Sequence, residues 1–130
     1  MAELAPGAEG VLERTVQHEH TTRRGDYDIF STPQLVLLLE EAAIEALAPY
    51  LQADQASVGT KVEVSHTAAT LLGQTVRATA TVTEVDRRRV AFRITVEDDL
   101  EQIGSATHER FVIDVPGFEE RLAAKSARLH

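Results

Sequence analysis

The apolar positions of the chain change period once, and that change divides it. From Pro33 to Ala48 they recur every three to four residues and cover most of a helical wheel, so the segment predicts one long helix. Thr32 stands where an N-cap is wanted, Pro33 suits the first helical position, and Pro49 ends the run. Beyond it the period becomes two. Val58–Thr67, Thr75–Val85, Arg89–Val96 and Ile103–Ile113 alternate or nearly alternate and are rich in β-branched residues, which predicts strands. Leu72-Gly73-Gln74, Asp86-Arg87-Arg88 and Asp98-Asp99 supply turns between them, and such short gaps favour an antiparallel meander. Upstream, Val11–His20 reads as a strand, and Thr21–Phe30 as a loop broken by Arg23-Arg24-Gly25-Asp26. Met1–Gly10 has the small, mixed composition of a loose tail. Pro116-Gly117 closes the last strand, and Phe118–Arg128 can form a short terminal helix.

A helix that is apolar around most of its surface has to be wrapped, not merely laid on a sheet. A curved antiparallel sheet around one long central helix meets that demand, an α+β architecture of the hotdog type. It is expected as a single domain over residues 11–130 behind a flexible tail at 1–10, and 130 residues suffice for one real core. The edges of such a sheet are commonly covered by pairing in a dimer. The net charge of −8 argues against a general nucleic-acid binder. With no cysteine, disulfides, thiolate metal sites and a cysteine nucleophile are all excluded. Met1-Ala2-Glu3-Leu4 carries no basic region leading into an apolar stretch, and Leu35–Leu39 is far too short to span a bilayer. The expectation is a soluble cytoplasmic protein without a membrane partner.

Three polar groups stand out against this apolar frame. Glu40 lies on the helical row Val36, Glu40, Ala43, Leu47, and Glu41 on Leu37, Glu41, Ile44, Ala48; periodicity does not choose between them. A carboxylate on either row needs a charged or hydrogen-bonding partner. Strict alternation puts His66 on the strand face of Val58, Thr60, Val62 and Val64, opposite Gly59 and Lys61, and so toward the helix. It would supply that partner, although a core imidazole satisfied by a backbone carbonyl explains its position as simply. Thr32 explains itself as a cap, but a hydroxyl at a helix N-terminus also sits where developing negative charge is stabilised. A hydroxyl, a half-buried acid and an inward imidazole are the parts needed for acyl transfer. Two other features are better read as surface, and a third is given no catalytic role. His18 and His20 could form a metal pair but lack a third ligand, Arg87-Arg88-Arg89 could meet phosphates from a hairpin tip, and His108 alternates onto the face of Gly104, Ala106 and Arg110 with no role assigned.

Ser31-Thr32-Pro33, Glu40-Glu41, Ser57-Val58-Gly59-Thr60, His66-Thr67-Ala68-Ala69-Thr70 and Thr107-His108-Glu109-Arg110-Phe111, in this order and spacing, resemble the fluoroacetyl-CoA thioesterase family of hotdog proteins. The resemblance runs from Val11 to Asp114. It implies Thr32, Glu40 and His66 as catalytic residues, breaking the tie between the two glutamates. It also implies Gly59 and Arg110 as contacts to an acyl-CoA substrate, a homodimer with its sites at the subunit interface, and no metal or cofactor. The fluoroacetyl-specific member carries an aromatic gate in the segment matching Arg23-Arg24-Gly25-Asp26, and here that segment is charged, with Tyr27 and Phe30 the nearest aromatics. The expectation is a thioesterase hydrolysing a short acyl-CoA other than fluoroacetyl-CoA. The alternatives are a non-catalytic hotdog dimer that binds acyl-CoA or another apolar ligand, an assembly module in which the helix acids and His66 are structural, and an enoyl-thioester hydratase. The hydratase lacks support, because the Asp and His such enzymes carry close together on one element are not found.

Overall fold

A computed structural model describes residues 3–130. It contains a five-stranded antiparallel sheet built from β1 (Glu9–Thr15), β4 (Gln55–His66), β5 (Thr75–Asp86), β6 (Arg89–Glu97) and β7 (Gln102–Asp114). The sheet curls over one long helix, α1 (Thr32–Leu47), and a second helix, α2 (Val115–Ala127), ends the chain. β2 (Thr21–Arg24) and β3 (Tyr27–Phe30) form a separate hairpin just before α1.

The sheet order is β1-β5-β6-β7-β4, which corrects the expected meander. The turns Arg87-Arg88 and Asp98–Glu101 do join neighbouring strands, the second closed by Asp98 Oδ1 accepting from the amides of Leu100 (2.8 Å) and Glu101 (3.0 Å). β4 instead pairs along its length with β7, so the 67–74 connection crosses to the far side of the sheet before β5 begins. β4 therefore stands at an edge.

Alternation along β5, β6 and β7 buries Val76, Ala78, Ala80 and Val82, then Val90, Phe92, Ile94 and Val96, then Ala106 and Val112. These meet Leu35, Leu38, Leu39, Ala42, Ala43, Ala46 and Leu47 of α1. The helix is less completely wrapped than its composition suggests. Leu37 and Ile44, one heptad apart on the outer side, remain 48% and 44% exposed.

Other local expectations shift. Ser31 caps α1, its hydroxyl accepting from the Gln34 amide at 3.4 Å, and Thr32 becomes the first helical residue, ahead of Pro33. The segment expected as a loop at 21–30 is the β2–β3 hairpin, turned by Gly25 at φ +59° and Asp26. The strand expected to reach His20 stops at Thr15, and β1 starts at Glu9, inside the segment expected as tail. Pro116-Gly117 lies within the first turn of α2, where a proline is tolerated, so that helix starts at Val115.

β1 crosses α1 at unusually close range, and Gly10 makes this possible. A Cβ on Gly10 would lie 2.3 Å from the Ala46 nitrogen and 2.6 Å from the Ala42 oxygen, both backbone atoms that cannot swing away. Gly10→Ala should therefore lift β1 from the helix and destabilise the fold by about 1–3 kcal/mol. Urea unfolding checks this; an unchanged midpoint would contradict so tight a crossing.

Candidate functional site

The expected site residues fall into two groups on the inner side of the sheet. The first forms where β4 ends against the N-terminus of α1. His66 Nδ1 lies 2.8 Å from Thr32 Oγ1, while its Nε2 is buried with no hydrogen-bond partner. Thr32 is free for this contact because Ser31 does the capping. A cleft of about 650 Å³ opens here, lined by Thr22, Arg24, Phe30, Thr32, His66 and Ala68 among others. It lies between the β2–β3 hairpin and the start of the long helix, so the hairpin forms one wall.

The second group gathers around Glu40. Its Oε2 accepts from Arg110 Nη1 at 3.2 Å, the arginine side chain being 5% exposed and the glutamate 32%. Arg110 Nε and Nη2 also donate to the Ser57 hydroxyl (2.8 Å) and carbonyl (3.0 Å). Gly59 leaves room for the pair, since a Cβ there would stand 2.7 Å from Glu40 Oε2 and 3.3 Å from Arg110 Nη1. Glu41 points elsewhere, pairing with Arg14 of β1 at 3.0 Å across the surface. The two glutamates are thus separated by environment, one facing the sheet's buried guanidinium and one facing outward.

A bulge at Thr60 explains how Gly59 joins this face. Gly59 pairs with Arg110 and Lys61 with Glu109, leaving Thr60 as the extra residue. The inward set on β4 is therefore Ser57, Gly59, Val62, Val64 and His66. Strict alternation had placed Val58 and Thr60 there and Gly59 opposite. A glycine inside a strand is the sequence signal for such a bulge.

The sequence leads one to expect Glu40 beside His66, but within one chain the two do not meet. Thr32 and Glu40 are eight residues apart on one helix, a rise of about 12 Å, and each carries its own partner. Arg110 takes the compensating role anticipated for the imidazole.

His108 is the participant the sequence did not single out. It is 1% exposed, its Nδ1 lies 2.7 Å from the Lys61 carbonyl oxygen and its Nε2 3.1 Å from Arg110 Nη1. The only hint was its alternation with Arg110. The other features considered have structural partners. His18–His20 is a 3-10 turn in which the His20 ring accepts from the Gln17 amide, so the expected strand-face pair is not formed. Arg88 pairs with Asp114, and Arg89 with Glu84 and Glu109. Among the described residues there is no cluster of three metal-ligating side chains, and no helix is long and apolar enough to cross a membrane.

Burial pushes the His66 imidazole below its usual 6.5, with a backbone contact at Ala68 opposing. His108 is likewise lowered, first by burial, with the Lys61 carbonyl opposing and Arg110 adding to the effect, against smaller contrary influences from Glu40 and Glu109. Unfolded, both rings take up protons at higher pH than they do folded. Their contribution to stability is thus complete above about 6.5 and is lost as pH falls through the depressed folded values. The urea midpoint should be lower near pH 5 than near pH 7.5, and the drop should shrink in His108→Gln. Equal drops in the two proteins would contradict a neutral, buried His108.

Residues 12–116 match the family model of FlK, the fluoroacetyl-CoA-specific thioesterase. A fluoroacetyl-CoA thioesterase from Streptantibioticus cattleyicolor is 41% identical over 99 residues, spanning 76% of this chain and 71% of that protein. The crystal structure of a FlK mutant with fluoroacetate and CoA superposes with a TM-score of 0.82 at 35% identity, covering 88% of this chain and 99% of the other. A thioesterase-superfamily member from Thermus thermophilus gives a TM-score of 0.91 at 25% identity, with 99% and 98% covered. With sequence and curled sheet in agreement, the chain belongs to the fluoroacetyl-CoA-specific thioesterase family and is a thioester hydrolase of the hotdog superfamily.

Proposed function

We propose that this protein hydrolyses a short acyl-CoA thioester as a cytoplasmic homodimer, with Thr32, Glu40 and His66 as its catalytic residues and Gly59 and Arg110 as substrate contacts. The observation that carries this reading is the His66 ring, bonded to Thr32 on one side and presenting a buried, unpartnered Nε2 on the other. If the Thr32 hydroxyl donates to Nδ1, the ring carries its proton on Nε2. That N–H can then stabilise the oxyanion formed when water adds to the thioester carbonyl. A carboxylate is needed to take the proton from the water and, once protonated, to give it to the departing thiolate. The products are a carboxylic acid and a free thiol.

Glu40 of the same chain is too far along the helix for that task, and two-fold symmetry offers a solution. Antiparallel pairing of two β4 edges about Val62 would set His66 opposite Val58 of a second copy. Antiparallel helices crossing at Val36 would set Thr32 opposite a second Glu40. The proposed axis passes through both crossing points, and β4 stands at the sheet edge, where a second strand can pair. The bound CoA of the FlK mutant supports a CoA thioester as substrate. The β2–β3 tip, Gly25-Asp26, offers no aromatic gate over the cleft, and Tyr27 beside it is 63% exposed. Selection for fluoroacetyl is therefore not expected.

The test is thiol release from a panel of short, branched and aromatic acyl-CoAs, with Thr32→Ala alongside. Turnover of a short acyl-CoA, with fluoroacetyl-CoA not preferred and Thr32→Ala slowed about 10-fold or more, is the expected outcome. Tight acyl-CoA binding without thiol release would replace this reading with that of a non-catalytic binding protein.

A further inference from the structure

We propose that His108 is a positioning residue, whose Nε2 lone pair holds the Arg110 guanidinium against Glu40 and so fixes where that carboxylate points. The inference rests on the reading that Glu40 and Arg110 serve thioester hydrolysis. A guanidinium has donors and no acceptor. The ring nitrogen 3.1 Å from Arg110 Nη1 must therefore accept, and the other nitrogen, 2.7 Å from the Lys61 carbonyl oxygen, must donate. Only one tautomer meets both demands, the neutral ring protonated at Nδ1. A second proton would set N–H against N–H.

Arg110 is thereby held on every side. Nε and Nη2 are bound to Ser57, and the two hydrogens of Nη1 go one to Glu40 and one to His108. Ser57 fixes the base of the fork, but the angle of its Nη1 arm depends on His108. Phe92 stacks on the imidazole at a centroid distance of 6.0 Å, so the ring has little room to tilt away. Lys61 follows the Thr60 bulge, so the same irregularity that turns Gly59 inward lies next to the carbonyl that sets the tautomer. His108 is buried and does not line the Thr32–His66 cleft, so its hydrogen bond to Arg110 is its link to the Glu40 carboxylate.

Two amide variants separate the ring's two bonds. His108→Asn leaves an amide near the Lys61 carbonyl but nothing where Nε2 stood; its thiol-release kcat should fall about 10–100-fold, the scale of a small misplacement of a reacting group. His108→Gln places an amide oxygen near the Nε2 position and should recover much of that loss. In an Arg110→Gln background, adding His108→Asn should change the rate less than about 2-fold, because the interaction is already gone. Thermal unfolding of each variant identifies losses due to folding. Should the Asn variant not fold, a Gln variant that folds yet falls as far as Arg110→Gln overturns the proposal. So do multiplying effects in the double variant, or a fully active His108→Asn. Full activity in Glu40→Gln and Arg110→Gln would instead sink the functional reading beneath it. Nitrogen NMR of the His108 ring at neutral pH tests the contact independently of activity: the Nδ1-protonated tautomer is expected, and the Nε2-protonated one overturns it.

Discussion

Glu40→Gln and His66→Ala should each lower thiol release by about 10²–10⁴-fold, the usual loss when a general acid–base group or an oxyanion donor is removed. Unfolding the two inactive proteins together and refolding them as a mixture should restore about a quarter of the wild-type rate, given random pairing of subunits in a two-fold dimer. The arithmetic follows from the arrangement in one chain, where Thr32 holds His66 at 2.8 Å and Arg110 holds Glu40 at 3.2 Å, two helical turns away. If each cleft combines the imidazole of one subunit with the carboxylate of the other, a mixed dimer has one site with both groups intact and one with neither. Half the dimers are mixed, and half their sites work. If both groups act within one chain, mixing restores nothing, because every site lacks one of them. A mixture as inactive as its parents, with mixed dimers demonstrated by a tag on one chain, would exclude the shared site.

Much of this arrangement was legible in the sequence, and what was missed has identifiable physical causes. The helix and the four downstream strands follow from a change of hydrophobic period that local sequence displays directly. The pairing of β4 with β7 does not, because strand order is a non-local property and the 67–74 connection carries no mark of where it leads. His66 was placed inward correctly. Gly59 was not, because the extra residue at Thr60 reverses the alternation between them. Adjacent hydroxyls at Ser31 and Thr32 are both competent caps, and only the position of His66 shows which is free for other work. The hairpin at 21–30 was hidden by its charge. Its one signal was Gly25 at a turn, which also fits an irregular loop. Arg110 and His108 fall on a face otherwise filled by small and apolar side chains. That pattern announces a buried polar group but not the partner that satisfies it.

Removing the Arg110 guanidinium should cost stability as well as activity. Burial pulls this side chain below its usual pKa while Glu40 opposes the shift, so the pair is held together against desolvation. Arg110→Met would leave the Glu40 carboxylate, the Ser57 oxygens and His108 Nε2 all facing a thioether that donates nothing. Breaking one side of a buried ion pair typically costs about 3–5 kcal/mol. The lower end is expected here because the Glu40 side chain keeps 32% of its exposure and can turn toward water. Replacing both partners is a different matter, since apolar residues of similar volume often substitute for a buried pair without loss. Arg110→Met with Glu40→Leu should therefore recover most of the lost stability while thiol release stays at the level of Glu40→Gln. Urea unfolding and the thiol assay on the same preparations separate the two effects. A double variant no more stable than Arg110→Met would mean that the unpaired carboxylate is not the source of the penalty, and that Arg110 supports the sheet through Ser57 and His108 instead.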